Sequence, residues 1–178
     1  SIPVVGGLIG GVLIGAFWQV LVIFGLHWSL VPLAMINYSL LGYDFILSPS
    51  FCVSFAQTFV VLAIVLKTKD EKLKKIAIPA FISGIFGVTE PAIYGVTLPK
   101  KTPYSCIAGA IGGAFTGLMR TRSYSIGGLG LFGLPSFIDT TGVMGLTNMI
   151  YILIAILIAS VAGFAMTYVL YKDEPAKK

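Results

Sequence analysis

The sequence predicts an all-α membrane protein with about four to five transmembrane helices and two re-entrant hairpins made of broken helices. Hydrophobic residues make up 57% of the 178 residues and charged residues only 11%, whereas a soluble domain is about 25% charged. Between residues 1 and 66, Asp44 is the only acidic or basic residue apart from His27. Two further apolar stretches contain prolines and glycines that argue against continuous helices.

Four apolar stretches are predicted to span the bilayer, for which about 20 residues are typical. They are residues 2–26, 47–66, 104–119 and 146–171. Glycines in two of them recur at the short spacings that allow helices to approach closely. These are Gly6, Gly7, Gly10, Gly11 and Gly15 in the first stretch and Gly109, Gly113 and Gly117 in the third. The glycines therefore predict close helix packing.

The two broken stretches are predicted to be re-entrant. Residues 25–44 are interrupted by Pro32, and residues 76–99 contain Pro91, Pro99 and several glycines. In the second stretch, two half-helices are expected to meet at a Thr-Glu-Pro triplet. Irregular backbone at membrane depth must be covered by protein or line a wet cavity, and paired interrupted helices indicate a transporter binding site.

The distribution of cations predicts the orientation in the membrane. Residues 67–75 contain five lysines and two acids, which places this loop in the cytoplasm under the positive-inside rule. The basic tail 172–178 is predicted to be a cytoplasmic linker. Residues 120–142 are predicted to form a long structured loop near an interface. We expect Arg120 and Arg122 at the cytoplasmic interface, with steering of a substrate or phosphate as the alternative.

Glu90 is the strongest candidate for a functional residue, because a carboxylate at membrane depth costs from about 2.5 kcal/mol upward. It could accept hydrogen bonds from the hydroxyls of a sugar, and Thr89 and the kinked backbone at Pro91 would add polar groups. His27 and Trp28 begin the other broken stretch. An aromatic ring stacks on a sugar ring and a histidine binds hydroxyls, although a lone His is often a core residue. We expect His27 and Glu90 to share one ligand.

The remaining polar and reactive residues suggest structural roles. Asp44 and Asp139 are expected to cap half-helices, and Cys52 and Cys106 to be buried thiols without a disulfide. The glycine-rich residues 127–133 resemble a phosphate-binding loop only superficially, since no strand–helix context follows. No metal, cofactor or nucleic acid is predicted as a partner, and a single histidine argues against a multi-histidine metal site.

The stretch FGVTEPAIYGVTLPKKTPY resembles the signature of the membrane (IIC) component of bacterial phosphotransferase-system sugar permeases of the glucose superfamily. The stretches GLHWSLVP and LGYD resemble its β-glucoside branch. Other branches commonly place a second histidine where Trp28 stands. The resemblance covers residues 5–170 and implies the C-terminal, substrate-binding half of IIC, here residues 1–171, followed by the start of a linker at 172–178.

This resemblance implies transport of a β-glucoside or related glucosyl sugar across the bacterial inner membrane. The sugar would bind at hairpins 27–46 and 76–99, which move like an elevator towards a phosphorylated IIB domain. The implied substrate-binding residues are Glu90, His27, Thr89, Trp28, Pro91 and Gly87.

The implied partners are the lipid bilayer, the N-terminal half of IIC, the IIB and IIA domains, and a second copy in a homodimer. The intact permease would be a protein-phosphohistidine–sugar phosphotransferase, but the residues that carry phosphate are not in this chain. Two other functions stay open at this point: a proton-coupled sugar symporter with Glu90 as the proton carrier, and a non-catalytic membrane packing module.

Overall fold

The computed structural model describes residues 2–128 and 130–173, and within them it is helical without β-strands. This confirms the predicted all-α membrane fold. Seven α-helices follow one another along the chain: α1 (Ile2–Ile23), α2 (Leu30–Leu41), α3 (Leu47–Lys67), α4 (Glu71–Ile85), α5 (Glu90–Ala92), α6 (Tyr104–Met119) and α7 (Leu146–Leu170). A π-helical segment, Ile93–Thr97, continues α5, and two 3₁₀ segments occupy Leu26–Ser29 and Gly130–Phe137.

Helix α3 is the centre of the bundle. Among the described residues, three helices are long and apolar enough to cross a membrane, namely α1, α3 and α7. In the most apolar window of α3, 67% of the residues are buried, against 28% in α1 and in α7, because α3 packs against α1, α4, α6 and α7. Helix α6 is apolar but shorter, at 16 residues.

Helices α1 and α6 pack along a seam of glycines in antiparallel orientation. A Cβ atom on Gly7 would lie 2.6 Å from a carbonyl oxygen of α6, so the two backbones are in direct contact. Gly6 and Gly10 have nothing within 4 Å of such an atom. The prediction of close packing is therefore confirmed for the glycines of the seam but is wrong for Gly6 and Gly10. The seam consists of the pairs Gly7–Gly117, Gly11–Gly113 and Gly15–Gly109.

The lysine-rich loop and the chain after α7 lie at the same end of the bundle, here called the lysine end. Lys67 donates from Nζ to the carbonyl of Tyr168 in the last turn of α7. The Asp173 carboxylate accepts hydrogen bonds from the Thr68 hydroxyl at 2.8 Å and the Lys69 amide at 2.7 Å. Burial raises the pKa of Asp173, but these bonds outweigh it and hold that pKa below its usual value.

Arg120 and Arg122 lie at the opposite end, so their prediction at the same interface as the lysine loop is wrong. The Thr121 carbonyl accepts a hydrogen bond from Ser48 at 3.2 Å, in the first turn of α3. Helix α6 runs the length of the bundle between the lysine end and these arginines. The positive-inside rule assigns the cytoplasmic side from clusters of cations. The two arginines do not outweigh the five lysines of residues 67–75, so the lysine end keeps the cytoplasmic assignment.

We expect single cysteines at the two ends to differ in their accessibility from outside intact cells. Lys72→Cys at the lysine end should resist a membrane-impermeant maleimide, whereas Val143→Cys, at a 78% exposed position before α7, should react. The parent chain gives the background from Cys52 and Cys106, which are both free. Both variants should react after permeabilisation. Labelling of Lys72→Cys from outside would contradict this topology.

Pro32 does not interrupt the first broken stretch, contrary to the prediction. The chain reverses at Gly25, whose φ of 72° suits glycine, and α2 then runs unbroken from Leu30 to Leu41. Pro32 lies in the first turn of α2, where no intrahelical amide bond is lost. The break predicted for this stretch therefore lies before Pro32.

The two aspartates differ in their roles. Asp44 Oδ2 accepts a hydrogen bond at 2.8 Å from the amide of Leu47, the first residue of α3, although Ile46 is the N-cap residue of this helix. The Asp139 carboxylate accepts instead from loop amides before α7, among them that of Thr141 at 2.7 Å, so it orders a loop and its predicted capping role is wrong. Burial raises the pKa of Asp139, but its hydrogen bonds lower that pKa more strongly.

Candidate functional site

The second broken stretch folds as a hairpin whose tip lies about half way along α3. Helix α4 ends at Ile85, the chain turns through Gly87 with a φ of 90°, and α5 begins at Glu90. The Gly84 backbone packs against the side chain of Thr58, in the middle of α3. The chain then returns towards the lysine end. The predicted break at the Thr-Glu-Pro triplet is confirmed.

Two features hold the returning arm in place. Pro91 lies in the first turn of α5, where proline is favoured. The following turn is π-helical, and the Thr97 hydroxyl accepts a hydrogen bond at 2.8 Å from Gln57 on α3. Single π turns often mark functional sites. The hairpin is therefore anchored to the most buried helix of the bundle.

A glycine-rich segment reaches the hairpin tip from the opposite end. The backbone of Gly130 contacts that of Gly87 so closely that a Cβ atom on Gly130 would collide with it. The Phe86 and Phe132 rings stack with centroids 5.6 Å apart. The prediction of a loop near an interface is therefore wrong for this part. Its 3₁₀ segment enters the bundle, where Phe137 is fully buried.

A cavity of about 360 Å³ lies where these segments meet. Five of the six residues predicted for the site line it: His27, Trp28, Gly87, Thr89 and Glu90. The sixth, Pro91, is not among the lining residues. The two broken stretches therefore meet at one cavity, as predicted. Binding of a shared ligand by His27 and Glu90 stays a prediction.

Two polar side chains in the cavity have no hydrogen-bond partner among the described residues. The Nδ1 atom of His27 is buried and unpartnered. The imidazole ring packs against the rings of Trp18 and Trp28, with centroid distances of 6.0 and 5.7 Å. Glu90, which is exposed, also lines the cavity, next to the buried Thr89 in the chain. An unpaired buried polar atom costs about 1–3 kcal/mol. A ligand with hydroxyl groups would satisfy both side chains.

Sequence analysis missed the hydroxyl groups that line the rest of the cavity. The Tyr38 hydroxyl lies 2.6 Å from Ser123 Oγ, which ties α2 to the start of the glycine-rich segment. Ser50 and Ser54 lie four residues apart on the predominantly apolar α3, a spacing that places them on one helix face and could have identified them. The lining residues missed in this way are Tyr38, Ser50, Ser54, Ser123, Ser125 and Ser136.

The site contains no set of residues suited to a metal ion. Among the described residues, no group of three or more His, Cys, Asp or Glu side chains could hold one. The cavity instead offers one carboxylate, one imidazole and several hydroxyls beside two tryptophans. Such a lining suits a neutral, hydroxyl-rich molecule with an apolar face.

A cavity that lies between broken segments in a bundle of apolar helices, with a few polar side chains in a mostly apolar lining, is the arrangement of a membrane transporter. The family model described as "Phosphotransferase system, EIIC" matches residues 4–113. The chain belongs to this family. This confirms the resemblance seen in the sequence and agrees with the cavity.

Three relatives share the description "PTS system beta-glucoside-specific EIIBCA component". The one from Halalkalibacterium halodurans is 59% identical over 74% of this chain and 21% of its own length. The one from Dickeya chrysanthemi is 46% identical over 76% of this chain and 22% of its own length. The one from Bacillus subtilis is 34% identical over 96% of this chain and 27% of its own length.

Other relatives have different descriptions. A "PTS system sucrose-specific EIIBC component" of Bacillus subtilis is 31% identical over 97% of this chain and 37% of its own length. The chain thus spans about a fifth to two fifths of the curated relatives it matches. No solved structure matches the chain.

Proposed function

We propose that this chain is the substrate-binding part of a permease that transports a β-glucoside and phosphorylates it during uptake. The observation that carries this proposal is the cavity in which Glu90, Thr89, His27 and Trp28 meet. Membership of the EIIC family and relatives described as β-glucoside-specific support it. The protein would cross the bacterial inner membrane several times.

The proposed binding mode follows from the chemistry of the lining. The Glu90 carboxylate would accept hydrogen bonds from hydroxyls of the glucosyl ring, including the one that becomes phosphorylated. His27 would bind from the opposite broken stretch, and Trp28 would stack on the apolar face of the ring. Gly87 would shape the hairpin tip and leave room for the sugar, while Pro91 would act indirectly by starting α5 at the tip.

Phosphate transfer would need partners that carry the phosphoryl group. The relatives' EIIBCA descriptions support IIB and IIA domains as these partners. The phosphorus–sulfur bond of a phosphocysteine in IIB would break as a phosphorus–oxygen bond forms at the sugar hydroxyl. The cysteine would leave as a thiolate, which takes up the proton that the hydroxyl loses. The hairpin would carry the sugar towards the lysine end, where IIB would meet it. The N-terminal half of IIC would complete a homodimer.

The test is a phosphorylation assay in membranes that contain this chain with the N-terminal half of IIC. Addition of a β-glucoside and phosphorylated IIB should yield the sugar 6-phosphate. Uptake of unmodified sugar with protons would instead establish a symporter. If the protein shows neither sugar binding nor sugar uptake, the non-catalytic packing module remains as the explanation. Either result would overturn the proposed function.

A further inference from the structure

We propose that residues 123–128 and 130–136, here called the glycine wall, select the group attached to the glucosyl ring. This inference rests on the proposed function and deepens it. The glycine wall reaches the cavity from the end opposite to the hairpin, and sequence analysis assigned it no role in binding. The glycine wall would act through the shape that it gives the cavity. Backbone groups, hydroxyls and one branched side chain set that shape.

The lining of the cavity is chemically asymmetric. Its carboxylate, its imidazole and its tryptophans come from the hairpin tip and from α1 with the 3₁₀ turn that follows it. The glycine wall contributes the hydroxyls of Ser125 and Ser136, the backbones of Gly127 and Gly128, and the side chain of Ile126. In this proposal, a glucosyl ring bound by Glu90 would direct its substituent towards the glycine wall.

The glycine wall is held in place by close contacts at some of its glycines, although residues 125–128 are exposed. A Cβ atom on Gly127 would lie 3.0 Å from Ser136 Cβ, which is tighter than ordinary contact. The Gly130 backbone lies directly on the hairpin tip, and Phe132 stacks on Phe86. The cavity of about 360 Å³ is near the lower end of the range for ligand pockets, about 300–1,000 Å³. The position of this wall thus limits the size of the substituent.

Ile126 is the residue through which this limit can be changed. Its side chain lines the cavity and is 56% exposed, so its replacement removes little packing from the folded protein. A larger side chain would fill the space of the substituent, and a smaller one would enlarge that space. The glucosyl ring, held on the other side, would be little affected.

The experiment compares methyl β-glucoside with phenyl β-glucoside in the phosphorylation assay described above. Ile126→Trp should weaken the apparent affinity for the phenyl compound about 10-fold relative to the methyl compound, the effect of a few carbon atoms in a pocket. Ile126→Ala should shift the ratio the other way. Ile150→Trp, at a 52% exposed position on α7 outside the cavity, is the control and should leave the ratio unchanged.

The outcomes separate this inference from the proposed function. If the parent protein forms product but both variants leave the ratio of the two affinities unchanged, the glycine wall does not select the substituent. Equal losses for both compounds would likewise contradict it. If the parent protein phosphorylates neither compound, the proposed function fails, and the inference fails with it. Should Ile126→Trp not fold, Ile126→Ala decides the question alone.

Discussion

Replacement of Glu90 by glutamine is expected to weaken sugar binding about 10- to 100-fold while leaving the fold intact. Glu90 starts α5 at the hairpin tip and lines the cavity, and its carboxylate has no hydrogen-bond partner among the described residues. A hydrogen bond to a charged group contributes about 1.5–3 kcal/mol, and each 1.4 kcal/mol changes affinity tenfold. The glutamine amide keeps the shape but loses the charge and one acceptor.

The measurement is equilibrium binding of a radiolabelled β-glucoside to the purified protein, together with its thermal unfolding midpoint. Glu71→Gln is the matched control, because Glu71 lies at the lysine end, its side chain is 75% exposed, and its carboxylate forms an ion pair with Lys74 at 3.2 Å. The control should bind normally. Normal affinity in Glu90→Gln would remove this residue from the proposed site, and a lowered unfolding midpoint would indicate a structural role instead.

The second large effect is expected from an alanine in the glycine seam. A Cβ atom on Gly11 would collide with the carbonyl oxygen of Gly113, and a backbone atom cannot move aside as a flexible side chain can. We therefore expect Gly11→Ala to force α1 and α6 apart and to cost about 1–3 kcal/mol, as overpacking does. The expected result is a lower thermal unfolding midpoint in detergent.

The neighbouring glycine provides a control of opposite sign. A methyl group added to Gly10 would have no other atom within 4 Å, and alanine favours a helix by up to about 1 kcal/mol over glycine. Gly10→Ala should therefore leave the unfolding midpoint unchanged or raise it. Similar losses in both variants would show that the seam has no special role. A loss confined to Gly11→Ala would support direct backbone contact.

The sequence alone was sufficient for features that depend on local composition. Helices α3 and α7 follow from hydropathy and length, and the break before Glu90 follows from proline, glycine and an isolated carboxylate. The glycine seam was predicted in part, because helical spacing puts Gly7, Gly11 and Gly15 on one face. The spacing does not reveal which of two glycine faces finds a partner, so Gly6 and Gly10 were included wrongly.

Features that depend on distant contacts could not be predicted in this way. The glycine wall enters the bundle because Gly130 contacts Gly87, and such a contact between two backbones leaves no periodic pattern in either segment. The side of Arg120 and Arg122 depends on whether α6 runs the length of the bundle. At 16 residues, α6 is shorter than the typical span, and its length alone did not settle the question.

The glycine seam also has a consequence for the order in which the protein is made. Gly11 and Gly113 lie roughly a hundred residues apart in the chain, and synthesis proceeds at about 5–20 residues per second. Helix α1 therefore waits on the order of 5–20 s before its partner α6 leaves the ribosome. It is apolar enough to stay in lipid during this time. Assembly of the seam is thus a late, lateral association of helices that have already been inserted.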